Sequence, residues 1–174
     1  MKVIFFDIQT KLPLGNASAC KSLKDLVAQS DIVSLHVPET PETEKIVDEK
    51  LLKQFKKGSI LINYARGHCV DIKALVKYLK NGHLAGAAID VFPEEPQKVG
   101  DAFVTPLQGL SNVLLSPHIG GSTEEAQANI GEDVSRKLFE FLERGLTGGS
   151  LAVPQLALRR RRNVARRLHM QNND

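Results

Sequence analysis

The sequence has 174 residues, of which 42% are hydrophobic and 25% are charged, enough for one globular domain with a core and too few for two ordinary domains. Of its 23 basic and 20 acidic residues, six arginines and one aspartate lie beyond Leu158, which leaves 17 basic against 19 acidic residues in positions 1–158. This slightly acidic balance argues against a nucleic-acid-binding surface on the folded part.

The cysteines and the apolar runs indicate the cellular compartment. Cys20 and Cys69 lie far apart without a CxxC or CxxH context, so we expect reduced thiols, with neither a disulfide nor a metal site. The apolar run at residues 1–6 is too short for a signal peptide, and no stretch approaches the roughly 20 apolar residues of a membrane span. These features predict a cytoplasmic protein with no membrane partner.

The N-terminal half alternates predicted strands and helices. Residues 3–6 (VIFF) have no polar face, which predicts a buried strand, and Ser22 predicts the N-cap of a short helix with Asp25 in a capping-box position. Residues 31–38 predict a second strand that ends at its proline. A second helix is predicted to begin at residues 40–43 and to bury its apolar side chains, Ile46, Val47, Leu51, Leu52 and Phe55.

The C-terminal half continues this alternation. Residues 59–63, 85–92 and 113–115 predict three more strands, and Asp71 predicts the cap of a helix that ends at Asn81 and Gly82. Thr123 predicts the cap of a long last helix that ends near Gly145. The buried side of that helix is predicted to consist of Ala126, Ile130, Val134, Leu138, Phe141 and Leu142.

Five buried strands that alternate with helices predict an α/β fold with a doubly wound, Rossmann-like parallel sheet. In such a sheet the carboxyl ends of the strands share one edge, where ligands bind. Asp7, His36, Asp90 and His118 all follow or end predicted strands, as do the residues after Asn63. We therefore expect one shared site at this edge.

Three segments supply chemistry at that edge: residues 63–67 (NYARG), residues 89–96 (IDVFPEEP) and residues 114–126 (LLSPHIGGSTEEA). Arg66 is suited to bind a carboxylate through two parallel hydrogen bonds, and Glu95 is suited to fix the tautomer of His118. Together they suit proton transfer on a small carboxylate substrate. Taken singly, Arg66 is better explained as a surface ion pair, Glu95 as a solvated loop charge and His118 as a packed residue.

Asp7 follows the first predicted strand. An acid at this point of a nucleotide-binding sheet binds the ribose hydroxyls of a dinucleotide. Without the rest of that motif, Asp7 is better explained as a helix or turn cap.

The same three segments resemble the signature segments of the D-isomer-specific 2-hydroxyacid dehydrogenases. The resemblance runs in order from about Val3 to Pro154. Within the family, residues 11–16 (KLPLGN), 86–90 (GAAID) and 127–131 (QANIG) are most similar to bacterial members that oxidise 3-phosphoglycerate for serine biosynthesis.

The resemblance implies a set of roles for an NAD-dependent reaction on a small 2-hydroxy acid. It implies that Arg66 binds the substrate, that His118 carries the proton and that Glu95 is the acid paired with it. It implies that NAD is bound by Asp7 at the ribose, by His36, Val37 and Pro38 at the adenine side, and by Asp90 at the carboxamide. The backbone of Gly120 and Gly121 would lie beside the nicotinamide, with Tyr64, Ala65, Arg66 and His118 as further contacts. The full-length family implies a homo-oligomer.

The sequence also departs from the family. The glycine-rich GxGxxG loop and the first strand should precede Val3 and are absent, as is the substrate domain, and Tyr64 and Ala65 replace the small and hydroxyl residues usual before the arginine. We expect residues 1–145 to form a partial NAD-binding domain, and residues 146–174 a linker and a basic tail. We expect negligible activity from the isolated chain. The alternatives are a non-catalytic fragment that pairs with a full-length dehydrogenase subunit, and nucleic-acid binding by the tail, which composition makes the weaker of the two.

Overall fold

The computed structural model describes residues 1–96 and 102–147. The basic tail predicted for residues 146–174 lies almost wholly outside these ranges. The chain divides into two compact units: the first is Met1–His118, and the second begins at Ile119. The first unit is an α/β structure in which all paired strands are parallel.

Two strands near the N-terminus form a small sheet of their own. β1 (Val3–Phe5) pairs in parallel with β2 (Ala17–Ala19). Between them, Gly15 has a φ of +60°, and the turn closes through a hydrogen bond from Ala17 N to Leu14 O of 3.1 Å. β1 was predicted from its apolar run, whereas the alanines and serine of β2 gave no such signal.

The larger sheet has four parallel strands in the order β3-β4-β5-β6. Its strands are β3 (Ile32–Leu35), β4 (Ser59–Asn63), β5 (Leu84–Ile89) and β6 (Val113–Leu115). β3 and β5 end short of the predicted Pro38 and Phe92, because those last residues turn away into loops.

The sheet arrangement corrects part of the sequence-based prediction. A single sheet of five strands was expected, whereas the described residues contain six strands in two sheets. No described strand pairs with both β1 and β3, so no ladder of hydrogen bonds joins the two sheets. The prediction of an α/β fold with parallel strands is confirmed.

The helices begin at side-chain caps. α1 (Leu23–Gln29) is capped by Ser22, α3 (Ile72–Lys80) by Asp71, and α4 (Glu124–Arg144) by Thr123, as predicted. α4 ends at Gly145, whose φ is +66°. A short 3-10 helix, Gly67–Cys69, lies between β4 and α3.

The second predicted helix is wrong in its start. Residues 41–45 form turns, Val47 makes an isolated parallel bridge with Val70, and α2 comprises only Glu49–Leu52, capped by Asp48. The side chain of Thr43 donates to Pro38 O at 2.7 Å and receives the Thr40 N–H at 2.9 Å, so hydroxyl contacts hold the backbone in turns at this point. The apolar spacing over residues 46–55 was therefore mistaken for a longer helix.

The core of the first unit lies between the four-stranded sheet and its helices. Its fully buried side chains include Val27 of α1, Leu52 of α2, Leu61 of β4, Leu75 of α3 and Ile89 of β5, each at most 1% exposed. This core fixes the strands whose carboxyl ends carry the candidate site.

The second unit, as far as it is described, consists mainly of α4. The prediction of a buried side on this helix is wrong, because no residue of α4 is buried and Leu138 is 55% exposed. The periodicity identified an apolar face correctly, but periodicity does not say whether that face is covered. Among the described residues, no helix has the length and apolar character needed to cross a membrane.

Candidate active site

The turn after β4 carries Arg66. The side chain of Asn63, fully buried at the end of β4, accepts a hydrogen bond from Ala65 N at 3.1 Å and donates one to Arg66 O at 2.9 Å. Arg66 donates from Nη1 to Ala65 O at 2.7 Å. A buried amide therefore fixes the backbone of the turn, while the guanidinium keeps further donors for a ligand.

Gly67 brings this turn against the loop after β5. A β-carbon at Gly67 would lie 2.0 Å from the carbonyl carbon of Phe92 and 2.5 Å from Pro93 N. Only a residue without a β-carbon allows this approach. The loop with Phe92 also holds Glu95, so the contact sets the spacing between the arginine and the acid.

Glu95 and His118 form a hydrogen-bonded pair. His118 Nδ1 lies 2.9 Å from Glu95 Oε2 and 3.0 Å from Oε1, and Phe92 N donates to Glu95 Oε1 at 2.9 Å. Burial acts to raise the pKa of Glu95, but the hydrogen bonds from Phe92 and His118 outweigh it and hold that pKa below its ordinary value of 4.5. The acid is therefore ionised at neutral pH beside the imidazole.

The backbone of His118 adopts a left-handed conformation, with a φ of +52°. Such a conformation is unfavourable for a residue with a β-carbon and needs support from its surroundings. The N–H of His118 donates to Asp90 Oδ1 at 3.0 Å, and Ser116 N donates to Ile89 O at 3.0 Å. Asp90, predicted from the resemblance to hold a carboxamide, thus holds the histidine backbone in this structure.

Arg66, Glu95 and His118 line one open pocket of about 250 Å³ in the first unit. The three segments predicted to meet at the carboxyl edge of the sheet do so. The remaining lining residues are Glu39, Gly67, His68, Val91, Phe92 and Pro93. The sequence analysis missed Glu39 and His68, although they lie immediately after Pro38 and two residues after Arg66.

The other predicted residues lie outside this pocket. Asp7 is exposed and accepts a hydrogen bond from Gln9 N at 2.8 Å, and His36 Nε2 lies 2.9 Å from Ser34 Oγ. The remaining ones in the first unit are Val37, which packs against the core, Pro38, Tyr64, which is 52% exposed, and Ala65, which is buried.

Gly120 and Gly121 belong to the second unit. A β-carbon at either would meet no atom within 4 Å. Their predicted place beside a nicotinamide therefore stays a prediction.

The cysteines and the potential metal-binding side chains bear on the sequence-based expectation of free thiols. Cys20 and Cys69 are free, and burial is the main cause that raises the pKa of the Cys69 thiol. Within residues 1–96 and 102–147, no group of three histidine, cysteine or acidic side chains is placed to hold a metal ion.

The fold has parallel strands, and its pocket is lined by a histidine–glutamate pair and an arginine. Both features agree with the comparison to protein families. Residues 1–120 match the NAD binding domain of the D-isomer specific 2-hydroxyacid dehydrogenases. Because this match covers more than half of the chain, the protein belongs to that family.

Individual relatives narrow the comparison. The chain is 49% identical over 173 residues to D-3-phosphoglycerate dehydrogenase of Haemophilus influenzae, covering 99% of this chain and 42% of the relative. It is 52% identical over 158 residues to the enzyme of the same name from Escherichia coli strain K12, covering 91% of this chain and 38% of the relative. The chain thus spans less than half the length of these relatives.

Solved structures show the same fold. A D-2-hydroxyisocaproate dehydrogenase matches with a TM-score of 0.72 and 35% identity, over 84% of this chain and 47% of that one. An NAD-complexed D-isomer specific 2-hydroxyacid dehydrogenase from Lactobacillus delbrueckii ssp. bulgaricus matches with a TM-score of 0.69 and 32% identity, over 82% and 46%.

Proposed function

We propose that this chain forms the NAD-side half of the active site of an oxidoreductase that oxidises the CH–OH group of a D-2-hydroxy acid. The substrate we propose is D-3-phosphoglycerate, as in the first step of serine biosynthesis, because the relatives of highest identity described above carry that name. The observation that carries the proposal is the pairing of His118 with Glu95 at 2.9 Å in a pocket that Arg66 also lines.

In this scheme Arg66 binds the carboxylate of the substrate. A guanidinium offers two parallel donors that match the two oxygens of a carboxylate, which fixes both position and orientation. The turn around Asn63 and the close approach at Gly67 hold the backbone of Arg66. Little backbone conformational entropy is therefore lost when the substrate binds.

His118 moves the proton. Glu95 engages Nδ1, which leaves Nε2 to accept the proton of the 2-hydroxyl group. The carboxylate of Glu95 then stabilises the imidazolium that forms, and in the reverse direction the imidazolium returns its proton to the 2-oxo group. Asp90 positions this imidazole through the backbone N–H of His118.

The residues present fit parts of NAD. The carboxylate of Asp7 is exposed just after β1, where it would hold ribose hydroxyls, and His36, Val37 and Pro38 would line the adenine side. NAD, when bound, supplies the hydride acceptor for the reaction. We propose the open backbone at Gly120 and Gly121 as a contact for the nicotinamide end.

We also propose that the two sheets are parts of one doubly wound sheet. A dinucleotide-binding sheet has the strand order 3-2-1-4-5-6. The pair β1-β2 fits the 3-2 side of such an order, and the run β3-β4-β5-β6 fits the 4-5-6 side with one strand more, around a central strand. This supports a Rossmann-like assignment whose central strand is not among the described ones.

The experiment is a chimera, because the chain corresponds to less than half of its relatives. The matching 173-residue segment of the Haemophilus influenzae enzyme is replaced by this chain, and NADH formation from D-3-phosphoglycerate is followed. We expect an active chimera, and we expect His118→Asn to lower kcat by at least about 100-fold, as for the loss of a general acid–base group.

The matched control is His83→Asn, which removes a histidine that contacts Phe55 O and does not line the pocket. This variant should keep kcat within about threefold if it folds, because it leaves the proton carrier intact. A folded chimera that binds NADH and whose kcat is unaffected by His118→Asn would disprove the proposed role.

A further inference from the structure

The pocket contains a second imidazole–carboxylate pair that the proposed reaction does not use. His68 Nδ1 lies 3.2 Å from Glu39 Oε1, and both side chains line the pocket that holds Arg66 and His118. As in the pair of His118 and Glu95, a carboxylate lies beside Nδ1, although only His118 and Glu95 meet the geometry of a hydrogen bond. The proposed reaction uses only the pair of His118 and Glu95, so the pair of His68 and Glu39 has no assigned role.

The backbone of His68 is held from two sides. Lys45 N donates to His68 O at 2.8 Å, and the preceding Gly67 is pressed against Phe92 and Pro93. The His68 side chain itself remains 48% exposed. The imidazole thus extends into the pocket from a fixed backbone. This reduces the conformational entropy that is lost when it binds a ligand.

Glu39 determines which nitrogen of His68 is available. With Nδ1 engaged by a carboxylate, Nε2 is left to meet a ligand. In a protonated imidazole both nitrogens are donors. His68 then offers a charged donor to an anion in the pocket.

The charges around the pocket suit an anion when its histidines are protonated. Arg66, His68 and His118 are the lining residues that can carry positive charge, and Glu39 and Glu95 are the acids. Asp90 does not line the pocket and accepts a hydrogen bond from the backbone N–H of His118. The buried thiol of Cys69 is neutral, because its pKa is raised. With neutral imidazoles one cation faces two carboxylates, whereas with protonated imidazoles three cations face them.

We propose that His68 determines specificity by binding a second acidic group of the substrate, a carboxylate or a phosphate, and that Glu39 positions it. This inference rests on the proposed function, since Arg66 binds the carboxylate beside the 2-hydroxyl and His118 binds that hydroxyl. A substrate with a distal anion then meets a cationic donor besides Arg66, and a substrate with an apolar end does not.

The test compares two ligands on the 174-residue chain. D-malate and D-2-hydroxybutyrate share the carboxylate and the 2-hydroxyl, and differ in having a second carboxylate or a methyl group. Their dissociation constants are measured at pH 6 by NMR from the histidine ring signals. We expect D-malate to bind about tenfold more tightly, the value of one good charged contact. We expect His68→Gln and His68→Asn to remove this advantage and to leave D-2-hydroxybutyrate unchanged.

The two His68 variants separate charge from structure. The side-chain amide of asparagine offers a donor to Glu39 in place of Nδ1 but has no atom in the position of Nε2. If His68→Asn folds and loses the D-malate advantage, Nε2 is therefore the atom that contacts the ligand. Glu39→Gln should reduce the advantage, because the carboxylate beside Nδ1 that positions the ring is gone. His83→Gln is the control and should keep the advantage.

The outcomes separate the role of His68 from the proposed function. A D-malate advantage that survives in both His68 variants overturns the role of His68 and leaves the proposed function standing. Unchanged binding of D-2-hydroxybutyrate in Arg66→Gln overturns the proposed function instead. An unaltered chain that binds neither acid overturns both.

Discussion

At the scale of single residues, Gly67 has the strictest steric requirement among the glycines of the described residues. Its missing β-carbon would lie 2.0 Å from the carbonyl carbon of Phe92, which is backbone and has little room to yield. We expect Gly67→Ala to lower the free energy of unfolding by roughly 1–3 kcal/mol, as for other cases of overpacking. Urea unfolding followed by circular dichroism measures this change.

The control for that substitution is Gly131→Ala. Gly131 lies within α4, and a β-carbon there would meet no atom within 4 Å. Alanine at this exposed helical position should be neutral or should stabilise the helix by about 0.5–1 kcal/mol. A Gly67→Ala chain as stable as the unaltered one would show that the turn and the Phe92 loop do not pack as described.

Glu95 links the stability of the first unit to pH. Its pKa in the folded chain is lowered from 4.5, because the hydrogen bonds from Phe92 and His118 outweigh burial. A lowered folded pKa contributes stability above the unfolded value, and this contribution is lost as the pH falls through the folded value. We therefore expect Glu95→Gln to destabilise the chain at pH 7 and to have no effect once the pH is well below 4.5.

The measurement is the free energy of unfolding of both chains between pH 7 and pH 3 (roughly the range over which carboxylates lose their charge). Glu44→Gln, at an exposed position outside the pocket, is the matched control and should show no such trend. A Glu95→Gln effect that persists unchanged at the acidic end would contradict the lowered pKa.

The residues of the pocket also show what a sequence can predict. Arg66, Glu95 and His118 were predicted as neighbours because the carboxyl ends of parallel strands converge on one edge. Glu39 lies in the loop after β3 and His68 in the 3-10 helix, and both were missed, since their contact depends on how residues 39–47 fold back onto that helix. That contact is tertiary and leaves no periodic signal in the chain.

At the scale of elements, local signals gave the helix starts. Ser22, Asp71 and Thr123 each accept the backbone N–H three residues later, a contact that needs nothing beyond neighbouring residues. The start of α2 was missed because the hydroxyl of Thr43 holds a turn instead of a helix. β2 was missed because its small residues resemble a loop.

The apolar face of α4 marks another limit of sequence patterns. Ile130, Val134, Leu138 and Leu142 recur at helical spacing, and each is about half exposed in this chain. The spacing predicts that such a face forms, but burial depends on what the face meets.

For the molecule as a whole, the parallel sheet positions three chemical groups from distant parts of the sequence. The turn after β4 supplies Arg66, the loop after β5 supplies Glu95, and the segment after β6 supplies His118. The family of the chain is established. The reaction that we propose for it requires that these three groups act as one unit.

A double-mutant cycle in the chimera tests this central claim most directly. Groups that act as one unit give strongly non-additive losses when they are removed together. We predict that kcat for NADH formation in the Glu95→Gln/His118→Asn chimera is about the same as in His118→Asn alone, because Glu95 acts through the imidazole. If the double variant loses the full product of the two single losses, Glu95 and His118 act independently and the account of the site is contradicted.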